Sequence, residues 1–271
     1  MERLDGPGIT AQLGDTRAAR LHSIELLPAV DSSNTWLLVA APPPAGAASV
    51  CIAEHQTAGR GRQGRSWIAP PGAAITLSVG WVFRKAARDL PALSLATGVA
   101  VARALQRCGA RGVQLKWPND IWFEDRKLGG ILLELRAEPE SRAFVVIGVG
   151  INVALDAPSR TALAAHGIQP ADLAEACTVA PSRNQVAGAL VDELLGMLVQ
   201  FEEEGFAPFR APWTALDALQ GRPSRVLYGN TWVAGRAEGV DGDGALVFDT
   251  GGQVRRFSSG EVSLRLEGDC A

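Results

Sequence analysis

Apolar positions follow two different periods over the first 220 residues of the chain. Short apolar runs bounded by Gly and Pro are typical of strands, several of them buried on both faces of a sheet. These runs are HSIELLP (22–28), SVCIAE (49–54), AITLSVGWVF (74–83), VQLKW (113–117), DIWFE (120–124), KLGGILLELR (127–136) and AFVVIGVGINV (143–153). Helical spacing and capping residues predict helices from DSSNTW (31–36) to about Ala41, and over 90–109, 183–204 and 206–219.

The pattern changes after residue 221 to short strands separated by Asn-Thr, Asp-Gly and Gly-Gly turns. Such a series predicts a small antiparallel barrel. We therefore expect an α+β protein, with a mixed sheet flanked by helices over residues 1–220 and a β-barrel domain over 221–271. Residues 1–20 are mixed and contain glycines, and this predicts a frayed start.

Composition narrows the classes of function. The chain has 271 residues with a formal net charge of −3, which does not suggest a protein that coats nucleic acid or an anionic membrane. No signal-peptide layout and no apolar run of transmembrane length is found, so a cytoplasmic location is expected. The four cysteines and three histidines show neither C-x-x-C nor another metal-site spacing, so no metal held by side chains is predicted.

The segment AGRGRQGRSW (58–67), here called the arginine loop, matches both G-x-G-x-x-G and a phosphate loop with arginine in place of lysine. Both motifs deliver phosphate to the N-terminus of a helix. The residues that follow, Trp67-Ile-Ala-Pro-Pro-Gly72, disfavour such a helix. An RGG-type nucleic-acid segment and a merely solvated loop are the alternatives.

Five further motifs lie before and after the arginine loop. DSSN (31–34) and CIAEHQ (51–56) precede it, while KWPND (116–120) and KLGGILLE (127–134) follow, and GVGIN (148–152) completes the order. Together these motifs resemble the biotin–protein ligase (holocarboxylase synthetase) family. The resemblance covers residues 22–152, and the end of the chain looks like the SH3-like C-terminal domain of that family. It implies a class II synthetase-like catalytic domain.

The resemblance implies that ATP, arriving with Mg²⁺, activates biotin to biotinyl-5′-AMP, and that biotin then passes to a lysine of a biotin carboxyl carrier domain. Lys127, Arg62 and Lys116 are the expected catalytic residues. The expected biotin-binding residues are Ser32, Ser33, Asn34, Gln56, Arg60, Gly61, Arg62 and Lys127. The expected ATP- or adenylate-binding residues are Arg65, Trp67, Lys116, Asn119, Asp120 and Asn152.

Several of these residues also have ordinary structural roles. Ser32, Ser33 and Asn34 suit a helix N-cap, Lys127 a solvated turn, Trp117-Pro118 a core turn and Asn152 a structural turn. Ser33 also departs from the threonine usual in the family, and it retains the hydroxyl.

Two other functions stay open at this point. One is a lipoate- or octanoate-transferring ligase of the same fold, and the other is a non-catalytic nucleic-acid or regulatory binding module. About 30 residues precede DSSN, too few for the winged-helix domain of the bifunctional members, so we expect the ligase-only form without DNA binding. The oligomeric state varies within the family, and a homodimer is one expected assembly. We also expect the arginine loop to be mobile without ligand.

Overall fold

The computed structural model describes residues 2–84, 92–138, 142–229, 231–258 and 263–266. Its helices are α1 (Gly6–Thr10), α2 (Asp15–Ala18), α3 (Ser33–Val39), α4 (Leu93–Arg107), α5 (Ala157–Ala165), α6 (Leu173–Ala176), α7 (Arg183–Glu204) and α8 (Ala207–Leu216). Its strands are β1 (Leu21–Leu27), β2 (Ala48–Ala53), β3 (Ala74–Phe83), β4 (Val113–Lys116), β5 (Asp120–Phe123), β6 (Arg126–Ala137), β7 (Ala143–Asn152), β8 (Pro223–Tyr228), β9 (Thr231–Val240), β10 (Leu246–Asp249), β11 (Val254–Phe257) and β12 (Ser263–Leu266).

The first seven strands form one mixed sheet in the order β1-β2-β3-β7-β6-β5-β4. β1 and β2 are parallel, because α3 connects them, and the other pairs are antiparallel. The mixed sheet flanked by helices is therefore confirmed, and β3 has the bounds predicted from its apolar run.

Side chains alternate between the two faces of each strand. On one face, odd-numbered residues of β3 and β7 such as Leu77, Val79 and Ile147 pack with α4 and α7 in the main core. On the other face, α3 covers only a small cluster around Leu37 and Phe144. The rest of that second face carries small and polar residues, and the candidate site lies there.

The expected frayed start is wrong. Residues 2–20 pack along α7, where Ile9 is fully buried and the Gly14 N–H donates to Asp192 Oδ1 over 3.0 Å. Arg17 pairs with the same carboxylate, which Arg107 of α4 also contacts at 2.7 Å. Single buried side chains and turn-length helices give almost no periodic signal, so the sequence pattern missed this segment.

The last five strands form a separate antiparallel sheet in the order β11-β10-β9-β8-β12, which confirms the predicted small β module. The turn before β10 contacts the domain that contains the seven-stranded sheet. There the Trp117 Nε1–H donates to the Gly244 carbonyl oxygen over 3.2 Å. Trp117 is buried, as the core interpretation of Trp117-Pro118 predicts.

Candidate active site

Three neighbouring strands, β3, β7 and β6, form the floor of the candidate site. In the register, Ser78 of β3 pairs with Gly148 of β7, and Gly148 pairs with Leu132 of β6. Gly150 lies two residues further along the same face of β7. We call Ser78, Gly148, Gly150 and Leu132 the pocket floor. Small side chains there leave room above the sheet for side chains from other segments.

The start of α3 and the end of β2 place polar groups on this floor. Ser33 donates its backbone N–H to Gln56 Oε1 (2.8 Å), and its hydroxyl lies 2.7 Å from the Ser78 hydroxyl. The side-chain oxygen of Asn34, Oδ1, accepts from the Ser78 hydroxyl at 2.6 Å. Ser32 has the capping role instead, because its Oγ accepts from the Thr35 N–H. The structure therefore brings Ser33, Asn34 and Gln56 together and leaves Ser32 beside them.

Gly148 explains how Asn34 fits onto the sheet. A Cβ at Gly148 would lie 2.4 Å from Asn34 Oδ1, far inside any real contact. A Cβ at Gly150 would likewise lie 2.5 Å from the Trp67 indole, which stacks directly over the strand. The two glycines in GVGIN therefore leave space above β7, Gly148 for the side chain of Asn34 and Gly150 for the indole of Trp67.

The arginine loop folds back on itself above the floor. The Gly61 N–H donates to the Arg65 carbonyl oxygen (2.6 Å) and the Trp67 N–H to the Gly59 carbonyl oxygen (2.9 Å), with a short 3₁₀ turn at 62–64 between them. No helix lies between Trp67 and β3, so neither helix-based phosphate motif can operate here.

A cavity of about 560 Å³ lies under the loop. It is lined by residues 58–66 of the loop together with Leu132 and Glu134 of β6. Arg60 reaches down to Glu134, with its Nη2 2.6 Å from the carboxylate. Arg65 also lines the cavity but is exposed, and it donates to Gln63 Oε1 at 3.4 Å.

At one end of the floor, positive groups surround Asp120. Lys127 Nζ lies 2.6 Å from Asp120 Oδ1, so this lysine is paired and only 28% exposed rather than freely solvated. Burial alone would raise the pKa of Asp120, but the charges of Lys127, Lys116 and Arg62 and the Lys127 hydrogen bond hold that pKa below its ordinary value. Burial also lowers the pKa of the Arg62 guanidinium. We call Arg62, Lys116, Lys127 and Asp120 the cationic cluster.

Two asparagines support the cationic cluster. Asn119 Oδ1 accepts from Arg62 at 3.3 Å, and its Nδ2 donates to the Ile131 carbonyl oxygen at 2.7 Å. Asn152 is buried, and its Nδ2 donates to the backbone carbonyl oxygens of Ala171 (2.9 Å) and Lys127 (3.3 Å). In this structure Asn152 therefore positions the backbone of Lys127.

Sequence reasoning missed four contributors to the site: Ser78, Gly148, Gly150 and Glu134. A signal was available in the apolar strands themselves. Thr76, Ser78 and Gly80 alternate with large residues along β3, as Gly148 and Gly150 do along β7. A strand that is apolar on one side and small or polar on the other borders a cavity or a close neighbour.

The described part of the chain contains no group of three or more His, Cys, Asp or Glu side chains that could hold a metal ion. The helices within those residues are all too short or too polar to cross a bilayer.

The seven-stranded sheet, its small-residue floor and the arginine loop define a catalytic domain of the biotin and lipoate ligase type. A family model described as "Biotin/lipoate A/B protein ligase family" matches residues 28–152, and one described as "Biotin protein ligase C terminal domain" matches residues 221–265. The chain belongs to the biotin protein ligase family.

Similar proteins cover most of the chain. The bifunctional ligase/repressor BirA of Escherichia coli (strain K12) is 38% identical over 90% of this chain and 74% of its own length. The biotin--[acetyl-CoA-carboxylase] ligase of Paracoccus denitrificans is 34% identical over 82% of this chain and 92% of its own length. The structure of the biotin protein ligase from Aquifex aeolicus in complex with biotin and ATP superposes with a TM-score of 0.73, at 25% identity, over 91% of this chain and all of that chain.

Proposed function

We propose that this protein activates biotin with ATP to form biotinyl-5′-AMP and then transfers the biotinyl group to a lysine of a biotin carboxyl carrier domain. A carboxylate oxygen of biotin attacks the α-phosphorus of ATP, and pyrophosphate leaves. The neutral lysine amine then attacks the acyl carbon, the bond to the AMP oxygen breaks, and a proton leaves the nitrogen as the amide forms.

The observation that carries this proposal is the cationic cluster, whose Arg62 also lines the cavity under the arginine loop. Attack of one anion on another requires fixed positive charge where charge develops. Arg62, Lys116 and Lys127 supply that charge around a single carboxylate. Because Asp120 holds Lys127 at 2.6 Å, the ammonium is oriented before substrates bind.

The remaining residue roles follow the same geometry. The ureido group of biotin is bound by Ser33, Asn34 and Gln56, with Ser32 beside them at the helix cap. A mostly apolar pocket needs such residues to satisfy the hydrogen bonds of that polar group. Arg60, Gly61 and Arg62 close over the carboxylate and the adenylate phosphate, where they exclude water.

Trp67 and Arg65 serve the nucleotide, together with Asn119 and, through the backbone of Lys127, Asn152. The buried Trp67 Nε1–H has no acceptor among the described residues. A buried donor of this kind is costly unless a ligand accepts from it, so it fits a nucleotide placed beside the indole.

Mg²⁺ arrives coordinated by the phosphates of ATP, since this ion usually retains waters and uses only one or two carboxylates. Residues 1–220 form the catalytic domain and 221–271 the C-terminal domain, and the enzyme works in the cytoplasm. A homodimer and the absence of DNA binding remain predictions. Sedimentation analysis tests the first, and salt-dependent retention on DNA tests the second.

Exchange of labelled pyrophosphate into ATP tests the reaction, with biotin, lipoate or no acid added to the full chain. We expect exchange with biotin alone, followed by a mass increase of a carrier domain at one lysine. Exchange with lipoate in place of biotin would favour the lipoate ligase alternative. The absence of exchange with either acid would refute the proposal.

A further inference from the structure

Glu134 projects from β6 into the cavity and has no role in the assignments above. Its Oε2 accepts from Arg60 Nη2 at 2.6 Å and from Asn34 Nδ2 at 2.9 Å, and its side chain is 23% exposed. One carboxylate oxygen therefore joins Arg60 of the arginine loop to Asn34 in the first turn of α3.

The contacts of Glu134 set the orientation of the Asn34 amide. A carboxylate only accepts hydrogen bonds, so the Asn34 NH₂ must face it. The same NH₂ donates to the Leu132 carbonyl oxygen at 3.3 Å. A flipped amide would place its oxygen against these two acceptors, and this would cost both hydrogen bonds.

The orientation of Asn34 then determines the direction in which the neighbouring serine hydroxyl groups donate their protons. Asn34 Oδ1 faces Ser78, whose single proton must go to it across 2.6 Å. Ser78 can therefore only accept from Ser33, whose hydroxyl lies 2.7 Å away. Gln56 Oε1 accepts from the Ser33 backbone N–H at 2.8 Å and lies 3.0 Å from the Ser33 hydroxyl, so the Ser33 proton has a second acceptor there. The Ser78 hydroxyl donates to Asn34, and Asn34 donates to Glu134, so the carboxylate is the terminal acceptor of this series.

We propose that Glu134 is a positioning residue that gives the pocket floor one arrangement of donors and acceptors, suited to a cyclic urea. The inference rests on the proposed function. A cyclic urea carries two N–H donors and one carbonyl acceptor in fixed positions, so its binding depends on which floor atoms donate and which accept. A ring without hydrogen-bonding groups would be indifferent to that order.

Glu134→Gln tests this idea with little change of shape. The amide removes the charge and introduces a donor facing Asn34, so Asn34 can flip and the direction of the chain is lost. We expect the KM for biotin in pyrophosphate exchange to rise at least about tenfold, because a site built for hydrogen bonds loses them. The KM for ATP is expected to stay within about twofold. A merely structural defect would alter both constants and the unfolding temperature.

Glu138→Gln is the matched control, since Glu138 follows the same strand and pairs with Arg136 over 2.8 Å outside the cavity. We expect this variant to behave as the wild type. Glu134→Asp retains a group that only accepts, so its biotin KM should lie between those of the wild type and Glu134→Gln, which keeps the test available if the glutamine variant does not fold.

Calorimetric titration of the full chain with biotin alone gives the second readout. A biotin KM or Kd in Glu134→Gln equal to that of the wild type overturns the inference, as does an equal rise in the KM for ATP. A wild-type protein without biotin-dependent exchange overturns the proposed function itself. The two failures are therefore distinguishable in one experiment.

Discussion

Gly150→Ala should weaken ATP use because of one steric conflict. The new Cβ would lie 2.5 Å from the Cε2 and Cζ2 atoms of Trp67, whereas ordinary van der Waals contact begins at 3.4 Å. The indole must therefore move by about 1 Å, and the loop moves with it, since the Trp67 N–H is bonded to Gly59. Overpacking of this kind costs about 1–3 kcal/mol.

That cost corresponds to a rise of about 5- to 150-fold in the KM for ATP. The assay is biotin-dependent pyrophosphate exchange over a range of ATP concentrations. Gly242→Ala is the control, because nothing lies within 4 Å of a Cβ there and its backbone is unstrained. If the indole carries the effect, Gly150→Ala should change the KM little in a Trp67→Ala background, because coupled sites are not additive. An unchanged KM in the single variant, or a fully additive double variant, would refute the reasoning.

Three further outcomes are expected. Lys127→Met should reduce adenylate formation by about 10²- to 10³-fold in single-turnover measurements, whereas the neighbouring Arg126→Met, whose guanidinium pairs with Glu175 at 2.5 Å, should retain activity. Arg62→Ala should release biotinyl-adenylate faster during gel filtration, and wild-type retention would contradict the proposed clamp. Burial raises the pKa of Asp217 from 3.8 to about 6, so the folded state binds an extra proton between these values and stability falls as pH rises through that window. Asp217→Asn should therefore add about 3 kcal/mol to the free energy of unfolding at pH 8 and flatten this slope in urea titrations. If the slope is unchanged in this variant, a group other than Asp217 causes the pH dependence of stability.

Long periodic segments were predictable because their hydrophobic pattern is local. β3 and α7 have the bounds that their patterns indicate, and α4 differs only at its ends. The helices α1, α2, α5 and α6 were not predicted. They are too short for periodicity to distinguish them from turns, and α1 and α2 depend on contacts with α7.

The candidate residues were found through motifs, and the structure brings most of them to one face of one sheet. Ser33, Gln56 and Asn34 meet on the floor, while Lys127 and Asp120 meet at its end. The geometry also separates roles within a motif, because Ser32 caps α3 and Asn152 bonds to backbone. Motif spacing alone could not make that distinction, since it does not state where a side chain points.

By itself, the sequence determined the class of fold, the order of the main strands and helices, and the family. These depend on local periodicity, on Gly and Pro punctuation and on ordered motifs. Only the tertiary structure decided that Glu134 bonds to Asn34, 100 positions away, and that Gly150 seats Trp67. The physical reason is strand register. A shift of one residue between β6 and β7 would turn their small and polar side chains to the opposite face, and long-range pairing sets that register.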